Sequence, residues 1–275
     1  MRHIVIASVA AVLVYAFYLS YGAWGVEPAL WPAWDQDHPL WRAFAHTAYV
    51  LLVAALAIGP AARLWRPAAR ALSWRRELGI WFAITSLAHG YVILERWARF
   101  DLGTLFGFEF VSEIGRYVLV RPEVATMNLM GVVALPMIVL LALTSNARAA
   151  RLLGSGWSWL HGSLVQALFY VLVLRGVLYL FLMFQYSPPN WRFYPPIWFL
   201  YVFLGLGLAL VILQAAAFAA TVLRQASRRS VLRAPQVAAV IAVAALWTMP
   251  MVLTTVTVAY FDARVIEARD LMPIE

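Results

Sequence analysis

Hydrophobic and polar positions in this chain do not alternate. They segregate into long apolar runs cut by short clusters of arginine, proline and acidic residues. Seven runs have the length of a membrane crossing: Ile4 to Trp24, Phe44 to Pro60, Leu78 to Leu94, Val124 to Thr144, Trp157 to Phe184, Ile197 to Leu223 and Val237 to Phe261. Each holds about 17 to 28 residues, and roughly 20 let a helix cross a ~30 Å hydrocarbon core. Within that core the backbone must bond to itself, which favours helices for such runs. The pattern therefore predicts an all-α polytopic membrane protein of about seven transmembrane helices. The third run is the shortest. The first follows Arg2, as the apolar core of a cleaved leader would, but its length and its closing Tyr18, Tyr21 and Trp24 predict a retained helix with an interfacial aromatic belt. Pro136 and Pro250 predict kinks, Gly205 and Gly207 a close helix approach, and Ser187 to Pro196 a stiff loop.

Composition agrees and narrows the chemistry. Of 275 residues, 64% are apolar or aromatic and 12% are charged, with mean hydropathy +0.79. A soluble fold of that make-up would expose apolar surface it cannot hide. The absence of cysteine excludes disulfides, thiolate-held iron–sulfur clusters, Cys-attached haem and Cys-ligated zinc. All 21 basic residues are arginine, so neither a lysine Schiff base nor a lysine-dependent phosphate loop is available. No segment between runs exceeds about 30 residues, too few for a soluble catalytic or nucleotide-binding domain.

Charge sets an expected orientation, because cytoplasmic loops retain arginine. Arg63, Arg66, Arg70, Arg75 and Arg76, then Arg148 and Arg151, then Arg224, Arg228, Arg229 and Arg233 all fall on one side. The other side carries Glu27, Asp35 and Asp37, a charge-balanced stretch from Glu95 to Arg121, and a tail with Asp262, Glu267, Asp270 and Glu275. The expectation is N-terminus cytoplasmic, C-terminus outside. Topology and anionic lipid account for the net charge of +8, and no nucleic-acid motif accompanies it.

Ionisable groups inside the runs are costly and mark candidate function. They are His46, His89, His161 and Arg175. At ~1.5 Å per residue from the arginine-rich face, His46 and His89 lie roughly 20 Å deep, His161 about 6 to 9 Å deep, and Arg175 level with the first two or slightly beyond. Facing histidines within a bundle suit b-type haem, whose iron takes neutral imidazole, and an arginine at that level suits the propionates. The plainer alternatives are histidines that hydrogen-bond between helices and an arginine that snorkels outward. Asp35, Gln36, Asp37 and His38 offer a metal or quinol headgroup site, or an interfacial loop among Trp31, Trp34 and Trp41. Glu109 and Glu113, spaced i, i+4 among Phe108 and Phe110, suggest an interfacial helix. Met127, Met130 and Met137 are axial ligands or gap fillers.

Several short motifs then fall in a specific order: Arg75-Arg76-Glu77-Leu78-Gly79-Ile80-Trp81 with Leu87-Ala88-His89, Arg121-Pro122, Leu140 to Ser145, and Trp157-Ser158-Trp159-Leu160-His161, preceded by Gly59-Pro60 and Arg63. Together they resemble the ferric-reductase-like transmembrane domain family, most of all the haem-binding membrane subunits of bacterial methionine sulfoxide reductase systems. The resemblance spans about residues 42 to 184. It implies a haem-binding core at 42–184, preceded by a helix and outer loop at 1–41 and followed by two helices and an outer tail at 185–275. It further implies b-type haem, one or two, in an inner membrane. Electrons would pass from quinol or a cytoplasmic flavin reductase to an outer acceptor, through an oxidoreductase component without its own FAD or NAD(P)H domain. His89 and His161 occupy the family's haem-ligand positions. At the position of its second fifth-span histidine stand Leu174 and Arg175, with His46 as a substitute from the second span. A relative that has lost haem and serves as a membrane scaffold is the alternative.

Overall fold

The computed structural model describes residues 1–23, 38–119, 122–186 and 198–228, with helical positions between 237 and 256. The acidic segment with Asp35 and Asp37, Arg121, the 187–196 loop, Pro250 and the C-terminal tail lie outside the described residues, as does much of the seventh run. The helices are α1 (Arg2–Ala23), α2 (His38–Leu64), α3 (Arg75–Val92), α4 (Leu102–Leu105), α5 (Pro122–Leu143), α6 (Ala147–Leu153), α7 (Ser155–Trp159), α8 (Val165–Tyr186) and α9 (Trp198–Arg228). Among the described residues, six stretches are long and apolar enough to cross a membrane: Arg2–Ser20, Pro39–Leu64, Arg66–Trp97, Ala125–Leu143, Ser155–Leu178 and Val202–Gln225. They coincide with the first six runs of the sequence, and the chain is a mostly helical, multi-pass membrane protein.

The chain divides into two compact units, one of Met1–Leu52 with Arg76–Pro196 and one of Val53–Arg75 with Ile197–Glu275. In the first, Ala43, Leu51, Leu52, Phe82, Ala83, Ala134, Ile138, Leu168 and Phe169 are buried, and Tyr49 stacks on Phe169 at 6.5 Å. Lipid tails are as apolar as these side chains, so close packing rather than removal from water holds them, and the alanines let backbones approach.

In the second unit, α2 runs on through Pro60 to Leu64, beyond the expected end. Pro60 lacks the N–H that Leu56 would receive. One residue earlier, the Ala55 carbonyl accepts from Arg75 Nε at 3.2 Å, and the guanidinium lies over Gly59. The arginine-rich connection is itself ordered, as tight helical turns over Arg66–Trp74. Arg224 Nη2 donates to the Arg63 carbonyl at 2.7 Å. A Cβ at Gly205 would meet no described atom within 4 Å, so the helix approach expected there is not seen at this position.

The fold is not wholly helical. Phe108–Val111 and Arg116–Leu119 pair as an antiparallel hairpin, β1 and β2. Glu109 therefore lies in a strand and Glu113 in its turn, not on an interfacial helix. The physical reason is legible afterwards: Phe-Glu-Phe-Val alternates with period two, and Gly107 and Gly115 take positive φ (73° and 63°), which ends helix geometry at both places. α5 continues through Pro136.

Candidate functional site

Two polar levels lie along the α5–α8 pair of the first unit. At the first, Arg175 on α8 donates through Nε to the Met127 carbonyl near the start of α5, at 3.1 Å. Gly131, one turn along α5, lies against the guanidinium, and a Cβ there would sit in ordinary contact with that nitrogen at 3.7 Å. At the second, His161 and Thr144 meet at the far end of α5. Seventeen residues separate Met127 from Thr144, or roughly 25 Å of helix. The two depths inferred from the sequence are thus two ends of one helix pair.

His89 lies on α3, near its end. Its Nδ1 is 2.7 Å from the Trp41 carbonyl, and its ring stacks on the Trp41 indole at 6.0 Å. A carbonyl oxygen accepts only, so Nδ1 carries the proton and Nε2 holds the lone pair. That Nε2 is buried and has no hydrogen-bond partner among the described residues. An imidazole with Nδ1–H fixed by a backbone carbonyl and Nε2 bare is the form in which histidine ligates a metal.

His46, on α2, meets Phe17 of α1 edge to face at 5.4 Å. It is within electrostatic range of Arg42 and His89, and His89 is within range of Arg175. His46, His89 and Arg175 are thus linked as successive electrostatic neighbours, and Arg42, beside His46, is buried. On α8, Leu174 points outward with 49% of its surface exposed, so Arg175 is the residue turned toward α5.

His161 is held differently. It lies in a widened turn, Leu160–Leu164, between α7 and α8, and stacks on Trp157 at 4.3 Å. Its Nε2 is 3.0 Å from Thr144 Oγ1, whose own proton goes to the Leu140 carbonyl at 2.7 Å. Nε2 is thus engaged, as donor when Thr144 keeps its proton on Leu140. Around it the last carbonyls of α5 are capped: Ser145 Oγ bonds Leu141, Asn146 Nδ2 bonds Leu143, Trp157 Nε1 bonds Thr144 and Arg76 Nε bonds Ser145. The Leu140 to Ser145 motif and the Trp157–His161 motif thus build a helix C-terminus, where basic side chains also suit the dipole.

An apolar groove of about 750 Å³ runs between α1, α2 and α3. Ala7, Ala11, Tyr18, Phe44, Trp81 and Thr85 are among its walls. Trp81, Thr85 and His89 follow one another at four-residue steps on α3, one stripe of the helix. No three His, Cys, Asp or Glu residues cluster as a metal site among the described residues. The donor chemistry at His89 fits an iron porphyrin, which needs one or two imidazoles, better than a metal held by side chains alone.

No family model matches the chain, and no solved structure matches it.

Proposed function

We propose that the chain is a membrane electron-transfer subunit that holds one b-type haem at the His89 level. The observation that carries this is the His89 imidazole, fixed through Nδ1–H to the Trp41 carbonyl with a buried, bare Nε2. His46 supplies the second ligand from α2, and Arg175 sets a positive charge beside the site. A haem held there would supply a one-electron carrier within the bilayer. The chain's part is to orient His89, keep water from its Nε2, and hold charge nearby. An apolar groove beside Trp81 and Thr85, on the α3 stripe that continues to His89, supports a lipophilic quinol as donor. By the arginine distribution the Arg76 end faces the cytoplasm and the His89 end the outside of an inner membrane, with an outer acceptor; a reporter fused after Glu275 that works only in the cytoplasm would overturn this orientation.

A second reading, a haem-less scaffold, draws on the engaged Nε2 of His161 and on Arg175 in place of a histidine. A dithionite-reduced minus oxidised spectrum of the purified protein separates the two. A b-type haem spectrum supports the first, and a flat difference spectrum leaves the second.

A further inference from the structure

The hairpin Phe108–Leu119 has a face that nothing in the described chain covers. Its register pairs Phe108 with Leu119, Glu109 with Val118, Phe110 with Tyr117 and Val111 with Arg116. Opposite partners and alternate residues share a face. One face therefore carries Phe108, Phe110, Tyr117 and Leu119, all exposed, with Phe110 and Tyr117 in edge-to-face contact at 5.3 Å. The other carries Glu109 and Arg116, with Val111 and Val118 half-buried.

A two-stranded hairpin is marginal in water unless something covers its apolar face. Here the strands are only four residues each. β1 packs on α4, whose Leu105 carbonyl accepts from Asn128 Nδ2 on α5 at 2.7 Å. Asp101 caps α4, accepting from the Gly103 and Thr104 amides and the Thr104 hydroxyl.

Three observations name the missing cover. The hairpin sits between two membrane stretches, the one ending at Trp97 and the one beginning at Ala125. Four-residue strands reach only ~13 Å, so the aromatic face stays near the ends of those helices. Further apolar side chains are exposed in the chain that leads to it: Tyr91, 57% exposed, meets the exposed Phe100 with ring centres 6.4 Å apart, and Leu102 and Ile114 are exposed. Finally, the charges are segregated onto the opposite face and the turn. Aromatic side chains with charges turned away are the composition of a membrane–water interface.

We propose that this hairpin lies in the lipid interface, with Phe108, Phe110, Tyr117 and Leu119 set among headgroups and upper acyl chains, and that the bilayer is the surface that covers it. The anchor steadies the cap formed by Ile93, Ala98 and Leu105, against which Trp41 packs. It thereby supports the residue that orients His89, although the lipid contact does not depend on whether haem binds.

The chain has no cysteine, so a single introduced thiol is unique. Phe110→Cys, Tyr117→Cys, Glu109→Cys and Arg116→Cys variants of the full chain, each carrying a nitroxide, would be reconstituted in phosphatidylcholine–phosphatidylglycerol vesicles. Accessibility to oxygen, which concentrates in lipid, is then compared with accessibility to a water-soluble nickel chelate. The oxygen-to-nickel ratio is expected to be several-fold higher at positions 110 and 117 than at 109 and 116. Equal ratios on both faces would place the hairpin in water. Labels at 110 and 117 shielded from both reagents would place that face against protein. Either result overturns the proposal, and the two apolar positions guard against one variant failing to fold.

Discussion

His89 and His161 stand at opposite ends of the same bundle, each stacked on a tryptophan and each hydrogen-bonded to a neighbouring segment. They differ in which ring nitrogen is engaged. His89 gives Nδ1–H to a backbone carbonyl and keeps a buried lone pair at Nε2. His161 has its Nε2 hydrogen-bonded to a threonine that also caps a helix. Two histidines that look alike in a motif thus differ in the ring nitrogen that the protein leaves open, Nε2 at His89 and not at His161.

The largest expected effect breaks this pair apart. His89→Ala should abolish bound haem, whereas His161→Ala should keep it and cost stability instead. The loss at His161 is about 0.5–1.5 kcal/mol, the usual worth of a hydrogen bond. Haem per protein and thermal unfolding of both variants check this. Loss of haem from both would mean that His161 is also a ligand.

A smaller effect concerns the level around His89. If His46 is the opposite ligand, His46→Ala should retain haem but convert a low-spin spectrum to a high-spin one. An unchanged low-spin spectrum would assign the second ligand elsewhere.

Arg175→Ala should act on potential rather than occupancy. A nearby positive charge favours the reduced iron, so its removal should lower the midpoint potential. The shift is about 59 mV if the charge is worth a tenfold change in a one-electron equilibrium. Redox titration gives the sign, and an upward shift would remove Arg175 from the site.

The smallest effect lies at Asp101, beyond the α3 stretch. The Thr104 hydroxyl, then the Thr104 and Gly103 amides, hold its carboxyl below the ordinary range. A lowered folded value means that the cap is fully present above the ordinary carboxyl pKa and is lost as pH falls through the lowered one. The Gly103 and Thr104 amides should therefore keep their hydrogen-exchange protection at neutral pH and lose it only below about pH 4. Protection that vanished on raising pH toward 7 would contradict the cap.

Much of the fold was legible because hydrocarbon permits few solutions. Six runs became six helical stretches, since length and apolarity alone set them, although the third begins at Arg66 rather than Leu78 because the arginine-rich connection is itself helical. The sequence also placed His46, His89 and Arg175 at one depth and His161 at another, because helical rise converts residue count into height. What it could not show was rotation and backbone chemistry. Trp41 acts on His89 through its carbonyl, and no side-chain pattern marks a carbonyl. Thr144 lay within a quoted motif, but its role depends on where α5 ends. The hairpin was misread because Glu109 and Glu113 fit a helical spacing as well as a strand and turn, and Gly115 decides between them.

The most direct test is the number of haems extracted per chain from the purified wild-type protein, read beside its reduced-minus-oxidised spectrum. A bare Nε2 at His89 and an engaged one at His161 predict one b-type haem per chain. Two haems would show that the His161–Thr144 bond yields to iron, and none would show that the lone pair at His89 has another use.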